Sequence, residues 1–514
     1  MFSKVISSAV LGVDGTIINV EADVNDGLPM FTMVGYLSSS VKEAGERVRT
    51  ALKNSGYHLP PKRVTINLSP ADIRKDGSAF DLPIAIAVLI AMGITPAIDM
   101  EKTVIIGELG LNGEIKPVTG ILPMVHHCYR YGITKCIVPI ANVQEALLVR
   151  HMEVVGVSDL REASYYIQGI LQIESKINEN DECINEKIIH SIDFNEISGQ
   201  GILKRGMEIA VAGFHNVLMT GAAGAGKSML AKRLPTIMPE MSFEESVEVT
   251  KIYSIAGLLD NKDVLVRKRP FRAPHHTISN HALVGGGMVP KPGEVSLAHN
   301  GVLFLDELLE FDKSVLEVMR QPLEDRKITI SRVHAAYSFP ADFMLVAAMN
   351  PCPCGYFPDM KKCSCSVNQI KRYQSKISGP LLDRIDINME VKPVTCKEIF
   401  NDEKRESSED IRARVQQARM LQIKRYENEN IFFNSQLEGK MLKKYIRLGE
   451  EENKILEKAF TEMDLSARGV YRILKLARTI ADLALSTEIK SEHLQEALFY
   501  RNSGSFYYNN YDKI

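Results

Sequence analysis

The stretch GAAGAGKS, Gly221–Ser228, combines the residue types that bind nucleotide phosphates. It matches the phosphate-loop pattern G-x-x-x-x-G-K-[ST], in which glycines let backbone N–H groups close on phosphate oxygens. In this pattern Lys227 supplies positive charge for the β- and γ-phosphates, and the Ser228 hydroxyl is a ligand for Mg²⁺. The flanking residues predict a short strand before the loop and a helix after it that ends at Pro235. The predicted nucleotide-binding residues are Gly221, Ala222, Ala223, Gly224, Ala225, Gly226, Lys227 and Ser228.

Two further segments end in polar side chains that suit phosphoryl transfer. GVLFLDE predicts a buried strand followed by Asp306, which can hold the Mg²⁺ shell, and Glu307, which can polarise the attacking water. FMLVAAMN predicts another buried strand that ends at Asn350, whose amide can orient that water. The alternative for Asn350 is an unrelated turn. Phosphoryl transfer requires positioning and charge neutralisation more than covalent chemistry, so these groups suffice for hydrolysis.

Two arginines follow at positions where a second subunit could use them. Arg384 lies in SGPLLDRID, in a short loop, and Arg468 lies in LSARG, at the start of a long amphipathic helix. One could enter a neighbour's site as an arginine finger, and the other could contact the γ-phosphate beside a helical lid. Because arginines in surface salt bridges are common, spacing alone leaves both interpretations open.

Together, GAAGAGKS, GVLFLDE, AAMNP, LLDRID and LSARG resemble the motifs of AAA+ ATPases. The segment Arg269–Leu308 resembles more specifically the magnesium-chelatase-like branch and, within it, the bacterial YifB/ComM family. The resemblance covers nearly the whole chain. It implies that Asn350 is the sensor-1 residue, Arg384 the finger and Arg468 the sensor-2 arginine, acting in its own subunit or on a neighbour's nucleotide.

The same resemblance implies a function. We expect a hexameric ring that hydrolyses ATP with Mg²⁺ and moves along single-stranded or branched DNA, as in branch migration during recombination or natural transformation. Two alternatives share the ATPase core. One is an ATP-dependent protein unfoldase or Lon-like protease, and the other is the motor subunit of a magnesium chelatase.

Basic residues accompany two irregular segments that the resemblance assigns to a pore. The Pro/Gly-rich residues 273–294 cannot form a continuous helix and predict an insert loop, whereas residues 326–340 predict a hairpin. Their cations would track a phosphate backbone, and a solvated basic surface is the alternative. They are Arg267, Lys268, Arg269, Arg272, Lys291, Arg326, Lys327 and Arg332. We expect His275, His276 and His281 to serve loop structure rather than a metal.

Four of the eight cysteines form two Cys-x-Cys pairs directly after Asn350. Four thiolates match the ligand count of a closed structural zinc site, although the spacing within each pair is tighter than usual. A disulfide within Cys-x-Cys would be strained, and the lack of a signal-peptide pattern predicts a reducing, cytoplasmic location. Zinc, reduced free thiols and redox sensing therefore remain open for Cys352, Cys354, Cys363 and Cys365.

Length and composition predict a globular protein of two to four domains rather than a membrane protein, and the family resemblance implies an α/β multidomain fold. The chain has 514 residues, of which 45% are hydrophobic and 25% charged, and a formal net charge of −2, so any anionic partner must meet a local basic patch. The apolar run Leu82–Ile98 contains proline and glycine and is shorter than the ~20 residues of a membrane span, so we expect a buried helix and no membrane partner.

Four regions are expected along the chain. Residues 1–165 resemble the Lon-protease-like (ribosomal S5 domain 2-like) α/β domain, and residues 166–190 read as a polar linker. Residues 191–392 are expected to form the AAA+ P-loop α/β core of the magnesium-chelatase type. Residues 393–514 are expected to form a C-terminal helical lid.

The Lon resemblance does not extend to a working catalytic dyad. That family uses a serine and a lysine that deprotonates it. Ser78 lies near the nucleophile position, although a gap-free alignment places Ala79 there, and Leu122 occupies the position expected for the lysine. Lys116 is near in sequence but falls on a predicted hairpin. Without a base, we expect no peptide-bond hydrolysis.

Overall fold

The fold was analysed in a computed structural model, which describes residues 1–97, 99–178, 191–259, 264–287, 290–332, 336–359, 361–395, 398, 405–463 and 465–502. The second half of the predicted linker, residues 179–190, lies outside these ranges, as does part of both predicted pore segments. In the described residues, no helix is long and apolar enough to cross a membrane.

The N-terminal region is built on a mixed seven-stranded sheet with the order β3-β4-β2-β1-β5-β8-β9. The β1–β2 and β2–β4 pairs are antiparallel, and the other neighbours are parallel. A separate two-stranded hairpin, β6–β7, accompanies it. The strands are β1 Phe2–Leu11, β2 Asp14–Asn25, β3 Met30–Val34, β4 Arg63–Ser69, β5 Thr103–Ile105, β6 Glu108–Leu109, β7 Ile115–Lys116, β8 Lys135–Pro139 and β9 Glu153–Val157.

Helices cover this sheet, and several sequence predictions for them are confirmed. The first helix begins after Ser38, whose side chain accepts from the Val41 N–H, and it buries an apolar stripe at helical spacing that includes Val41, Ala44, Val48 and Leu52. The second helix is buried along almost its whole length, as expected of the interrupted apolar run. The β6–β7 hairpin turns at Asn112–Gly113, where Gly113 adopts φ +89°. The helices are α1 Ser39–Asn54, α2 Asp81–Ala91, α3 Ile121–Arg130, α4 Val143–Ala146 and α5 Leu160–Ile167.

The central region contains a fully parallel five-stranded sheet with the order β11-β14-β17-β10-β18. Two small antiparallel pairs, β12–β13 and β15–β16, lie outside it, and the second confirms the predicted hairpin. The strands are β10 Val217–Gly221, β11 Phe271–Arg272, β12 Gly285–Gly286, β13 Lys291–Pro292, β14 Val302–Leu305, β15 Lys327–Ser331, β16 Ala336–Pro340, β17 Met344–Met349 and β18 Ile387–Val391.

The helices of the central region are mostly short. The helix after the phosphate loop does not end at Pro235, as predicted from the sequence, but continues through it to Ile237. A proline so near the end disturbs only the last turn, so the helix tolerates it. The helices are α6 Gly201–Gly213, α7 Lys227–Ile237, α8 Phe243–Ala256, α9 Asn280–Val284, α10 Glu294–Leu297, α11 Lys313–Val318, α12 Arg320–Asp325, α13 Val367–Gln374 and α14 Gly379–Leu382.

The C-terminal region is helical and shares an apolar core with the parallel sheet. Ile411, Val415 and Ala418 of its first helix are buried in the same cluster as Val217 of β10. Leu421 of the same helix is only partly buried, and the neighbouring Gln422 reaches the interior to donate to the carbonyl of Ala212 at 2.9 Å. The helices are α15 Ser408–Arg425, α16 Gly439–Tyr445, α17 Glu450–Glu462, α18 Ala467–Leu483 and α19 Ser491–Asn502.

Buried Asp482 ties the helices of this region together. Its carboxylate accepts from Arg425 at 2.8 Å, Asn434 at 2.8 Å and Arg478 at 3.1 Å. Asp482→Ala should lower the free energy of unfolding by about 3–5 kcal/mol, because it removes the carboxylate partner of buried Arg478 and of partly buried Arg425. Urea denaturation followed by circular dichroism would measure this. The control Glu462→Ala removes an exposed partner of Lys458 and should leave the midpoint within error. Equal midpoints for the two variants would contradict the role given to Asp482.

Candidate nucleotide site

Parallel strand pairing brings three predicted site residues to one edge of the sheet. Strand β17 lies between β10 and β14, with Thr220 paired to Met349 and Leu305 paired to Ala347. Because the carboxyl ends of parallel strands meet at the same edge, the residues that follow them converge there. The phosphate loop follows β10, Asn350 follows β17, and Asp306 follows β14.

The loop requires glycine for two different reasons. A Cβ on Gly221 would lie 2.3 Å from the carbonyl oxygen of Val391 in the adjacent strand, so no larger residue fits there. Gly224 and Gly226 have φ +76° and +91°, which side chains rarely adopt, and nothing lies within 4 Å of their missing Cβ positions. The loop is therefore open above these two glycines and leads into the N-terminus of α7, where helix dipole and free N–H groups favour anions.

Lys227 is folded into this loop. Its side chain is largely buried, and its ammonium donates to the carbonyls of Gly221 at 2.5 Å and Ala222 at 2.9 Å, and to Asn350 Oδ1 at 3.1 Å. Burial lowers the pKa of Lys227 below its ordinary value, and the nearby charges of Asp306 and Glu307 oppose that effect only in part. The structure thus brings the predicted lysine and Asn350 into direct contact.

Ser228 and Asp306 are also in contact. The Ser228 hydroxyl donates to Asp306 Oδ2 at 2.5 Å, and Asp306 Oδ1 accepts from the Glu307 N–H at 3.0 Å. A hydroxyl and a carboxylate oxygen beside a phosphate loop are the donor set that Mg²⁺ accepts in such sites. The residues present therefore fit a nucleotide-bound Mg²⁺.

Glu307 has a neighbour that the sequence reasoning missed. The residue adopts a left-handed conformation, φ 52°, and its side chain is 56% exposed. Its Oε2 lies 3.6 Å from Nδ1 of His276. The sequence predicts only a structural role in the loop for His276. No sequence pattern links His276 to Glu307, which lies 31 positions further along the chain.

The two predicted arginines both approach the carboxylate of Glu324 and lie away from the phosphate loop. Arg384 is ion-paired with Glu324, and Arg468 Nη2 lies 4.0 Å from the same carboxylate. Both line a cavity of about 390 Å³, and among the described residues around it none belongs to Gly221–Ser228. Within the described chain, the buried Nε of Arg384 has no hydrogen-bond partner.

Three of the predicted pore cations are tied to other groups. Arg269 is buried and donates to the carbonyls of Pro239 and Asn300, so it stabilises the fold rather than facing solvent. Arg272 is paired with Glu294, and the Arg326 guanidinium lies 3.7 Å from the carboxylate of Asp342. Four of the other cations are exposed: Lys268, Lys291, Lys327 and Arg332.

Ser78, beside the predicted nucleophile position, contacts a carboxylate, and the position predicted for the lysine holds a leucine. The Ser78 hydroxyl contacts the Glu108 carboxylate, and Leu122 is fully buried. Lys75 is also buried, and its ammonium contacts the carbonyl of Pro70. Among the described residues, therefore, no hydrogen bond joins Ser78 to a lysine.

Family comparisons agree with this arrangement along the chain. The model described as "Magnesium chelatase, subunit ChlI" matches residues 193–399. A model described as "Subunit ChlI of Mg-chelatase" matches residues 20–142, and one described as "Magnesium chelatase, subunit ChlI C-terminal" matches residues 405–501.

Full-length relatives decide the family. The "Uncharacterized protein YifB" of Salmonella typhimurium is 40% identical over 495 residues, covering 96% of each chain. The "Competence protein ComM" of Haemophilus influenzae is 40% identical over 505 residues, covering 97% of each chain. The chain belongs to the YifB/ComM family of magnesium-chelatase-like AAA+ proteins. A "Magnesium-chelatase 67 kDa subunit" of Chlorobaculum parvum matches over only 164 residues, at 27% identity, which is 31% of this chain and 23% of that protein.

Two substitutions test the nucleotide site of this YifB/ComM family member. Lys227→Ala should abolish ATP binding, because it removes the cation from the loop.

Glu307→Gln should bind ATP normally yet lose turnover by about 10²–10⁴-fold, since only the proton-accepting group is lost. Binding by calorimetry and phosphate release would measure both effects. Lys232→Ala on the exposed side of α7 and Glu310→Gln are matched controls expected to behave as wild type. Normal turnover by Glu307→Gln would remove its assignment.

Proposed function

We propose that the chain is a cytoplasmic, ATP-hydrolysing ring motor that acts on DNA, with helicase or branch-migration activity in recombination or natural transformation. The observation that carries the proposal is the convergence of Lys227, Ser228, Asp306 and Asn350 at one sheet edge, in a chain that matches a competence protein over 97% of its length.

Each group in the nucleotide site has a role in this proposal. Lys227 turns from the loop carbonyls to the β- and γ-phosphates, and Ser228 and Asp306 hold Mg²⁺. Bound Mg²⁺ supplies charge neutralisation on the phosphate oxygens. Glu307 accepts a proton from the attacking water, and Asn350 orients that water against the γ-phosphate.

We assign both arginines to the nucleotide of a neighbouring subunit. Arg384 and Arg468 share Glu324 and one cavity, so they are positioned to act as a pair. Lys227 instead contacts groups of its own loop and Asn350. A phosphate bound by a neighbouring subunit would compete with Glu324 for the two arginines. That neighbour's nucleotide site would therefore be complete only when the subunits assemble into a ring.

The DNA assignment rests on charge and on family. The exposed cations Lys291, Lys327 and Arg332 belong to the insert and hairpin segments, and Lys268 precedes the insert. A phosphate backbone is the polyanion that such a set would bind. The name of the Haemophilus influenzae relative associates that protein with competence. The chelatase subunit matches only about a third of this chain, which favours the DNA motor over a chelatase motor.

The N-terminal region, residues 1–165, is proposed to be a Lon-like unit without proteolytic activity. Buried Leu122 in place of a base, and Ser78 held by Glu108, support this assignment. Residues 393–514 are proposed to be the lid, and protein unfolding remains an alternative outcome of the experiment below.

The DNA proposal is tested by measuring ATPase activity alone, with four-way DNA, with unfolded casein and with a magnesium-chelatase partner subunit. DNA should stimulate hydrolysis, and stimulation should fall steeply with salt because counterions are released on binding. Lys291→Ala with Arg332→Ala should lose the stimulation, whereas the exposed control Lys458→Ala should keep it. Stimulation by casein or the chelatase partner but not by DNA would replace the proposal with the corresponding alternative.

The ring proposal is tested with Arg384. Arg384→Ala should bind ATP almost normally but lose hydrolysis by about 10³–10⁵-fold, as removal of an arginine finger does. Mixing it with Lys227→Ala protein under subunit exchange should restore activity, since some interfaces then pair an intact loop with an intact finger. Phosphate release and light scattering would follow activity and assembly. A monomer with full ATPase activity, or no recovery on mixing, would contradict the ring.

A further inference from the structure

The four cysteines that follow Asn350 converge in space. Their Sγ atoms all lie within 4.8 Å of one another. The Cys352–Cys354, Cys354–Cys363 and Cys352–Cys363 sulfur separations are 3.4, 3.5 and 3.8 Å. A disulfide requires about 2.05 Å, so these thiols are unbonded. Four sulfurs at about 2.3 Å from a tetrahedral zinc would lie about 3.8 Å apart, which is close to the separations observed.

We propose that Cys352, Cys354, Cys363 and Cys365 form a closed structural zinc site. Four sulfur ligands in a tetrahedral arrangement select zinc or iron over hard cations such as Mg²⁺ and Ca²⁺. A multinuclear iron–sulfur cluster places several irons and sulfides between its thiolates, and the present spacing leaves no room for them. Because all four ligands come from the protein, no position stays open for substrate, and the role is structural.

Turn hydrogen bonds and a small apolar cluster hold the loop around the cysteines, for example the bonds from the Gly355 N–H to the carbonyl of Cys352 and from the Cys363 N–H to the carbonyl of Asp359. Residues 351–359 and 361–366 contain no helix or strand. The local apolar cluster has only three buried members, Cys352, Phe357 and Ile370, with the other three cysteines packed against it. A core this small does not order a loop without a staple. The Phe357 N–H donates to Cys352 Sγ at 3.4 Å, a hydrogen bond of the kind that supports thiolate ligands.

The loop so fixed lies beside the nucleotide site. A Cβ on Gly355 would be 3.6 Å from the backbone nitrogen of Ala223 in the phosphate loop and 4.0 Å from Cγ of Asn350. On the other side, Gln374 of α13 donates to the carbonyl of Pro351 at 2.8 Å. Zinc would therefore hold the segment that adjoins both the phosphate loop and Asn350. Loss of zinc should loosen nucleotide binding even though zinc touches no phosphate.

Metal analysis of the full-length, tag-free protein, purified with chelator and no added zinc, tests the proposal. We expect about one zinc per chain. Cys363→Ser with Cys365→Ser should contain less than about a tenth of that and melt at least about 5 °C lower. Ser364→Ala, an exposed neighbour without a ligand atom, should match the wild type. Cys365→His should keep its zinc, because Cys₃His is also a zinc ligand set.

Other results would overturn the proposal. A metal-free wild type, a wild type that holds iron, or zinc that survives in the double serine variant would each do so. If the double variant does not fold, titration of wild-type thiols with a mercurial decides. Release of one zinc as the cysteines react supports the site, and release of none refutes it.

A second measurement connects zinc to the nucleotide site. Wild-type protein stripped of metal should bind ATP at least about tenfold more weakly, and added zinc should restore the affinity. Unchanged ATP affinity in stripped protein would refute the coupling. Zinc content is measured without nucleotide or DNA, so this inference and the proposed motor function fail separately.

Discussion

The register of three parallel strands, β10, β17 and β14, is the constraint on which the nucleotide site depends. Alternate residues of β10 enter different apolar layers, with Val217 and Met219 in one and Leu218 in the other. A slip of one residue would exchange these layers and displace the loop by about 3.3 Å. A displacement of that size would break the 3.1 Å hydrogen bond between Lys227 and Asn350. Packing on both faces therefore fixes the position of the charge.

Two buried cations show why environment decides their roles. Arg269 is ion-paired with Glu245 and also donates to the carbonyls of Pro239 and Asn300, so groups of the protein itself hold its charge. Lys227 is held by carbonyl and amide dipoles, and burial lowers its pKa. An ammonium that has lost water without gaining a hydrogen-bonded carboxylate gains more from an anionic ligand than one already paired. The phosphate loop thus leaves its cation available to phosphate.

Local sequence predicted the elements that carry the site better than the contacts between them. The loop, the acidic end of β14 and Asn350 could be predicted, because each belongs to one short segment with a clear pattern. The His276–Glu307 approach could not, since it depends on how the insert folds over the sheet. The prediction that Arg269 is a pore cation was wrong, because the number of basic residues in a segment does not reveal which of their side chains are buried. The prediction that α7 ends at Pro235 was wrong, because the destabilisation that a proline causes depends on its distance from the end of the helix.

Helix α8 joins the N-terminal sheet to the nucleotide-binding region. Its Glu245 accepts from Arg269 and from Arg419 of α15, whereas Ser254 near its other end contacts buried Glu145. Glu145 in turn accepts from the backbone N–H of Leu122 at 2.9 Å. A displacement of α15 relative to α8 must therefore break or re-form the Arg419–Glu245 pair, and the helix that carries Glu245 also contacts the N-terminal sheet region. These contacts connect the N-terminal region physically to the region that carries the proposed motor.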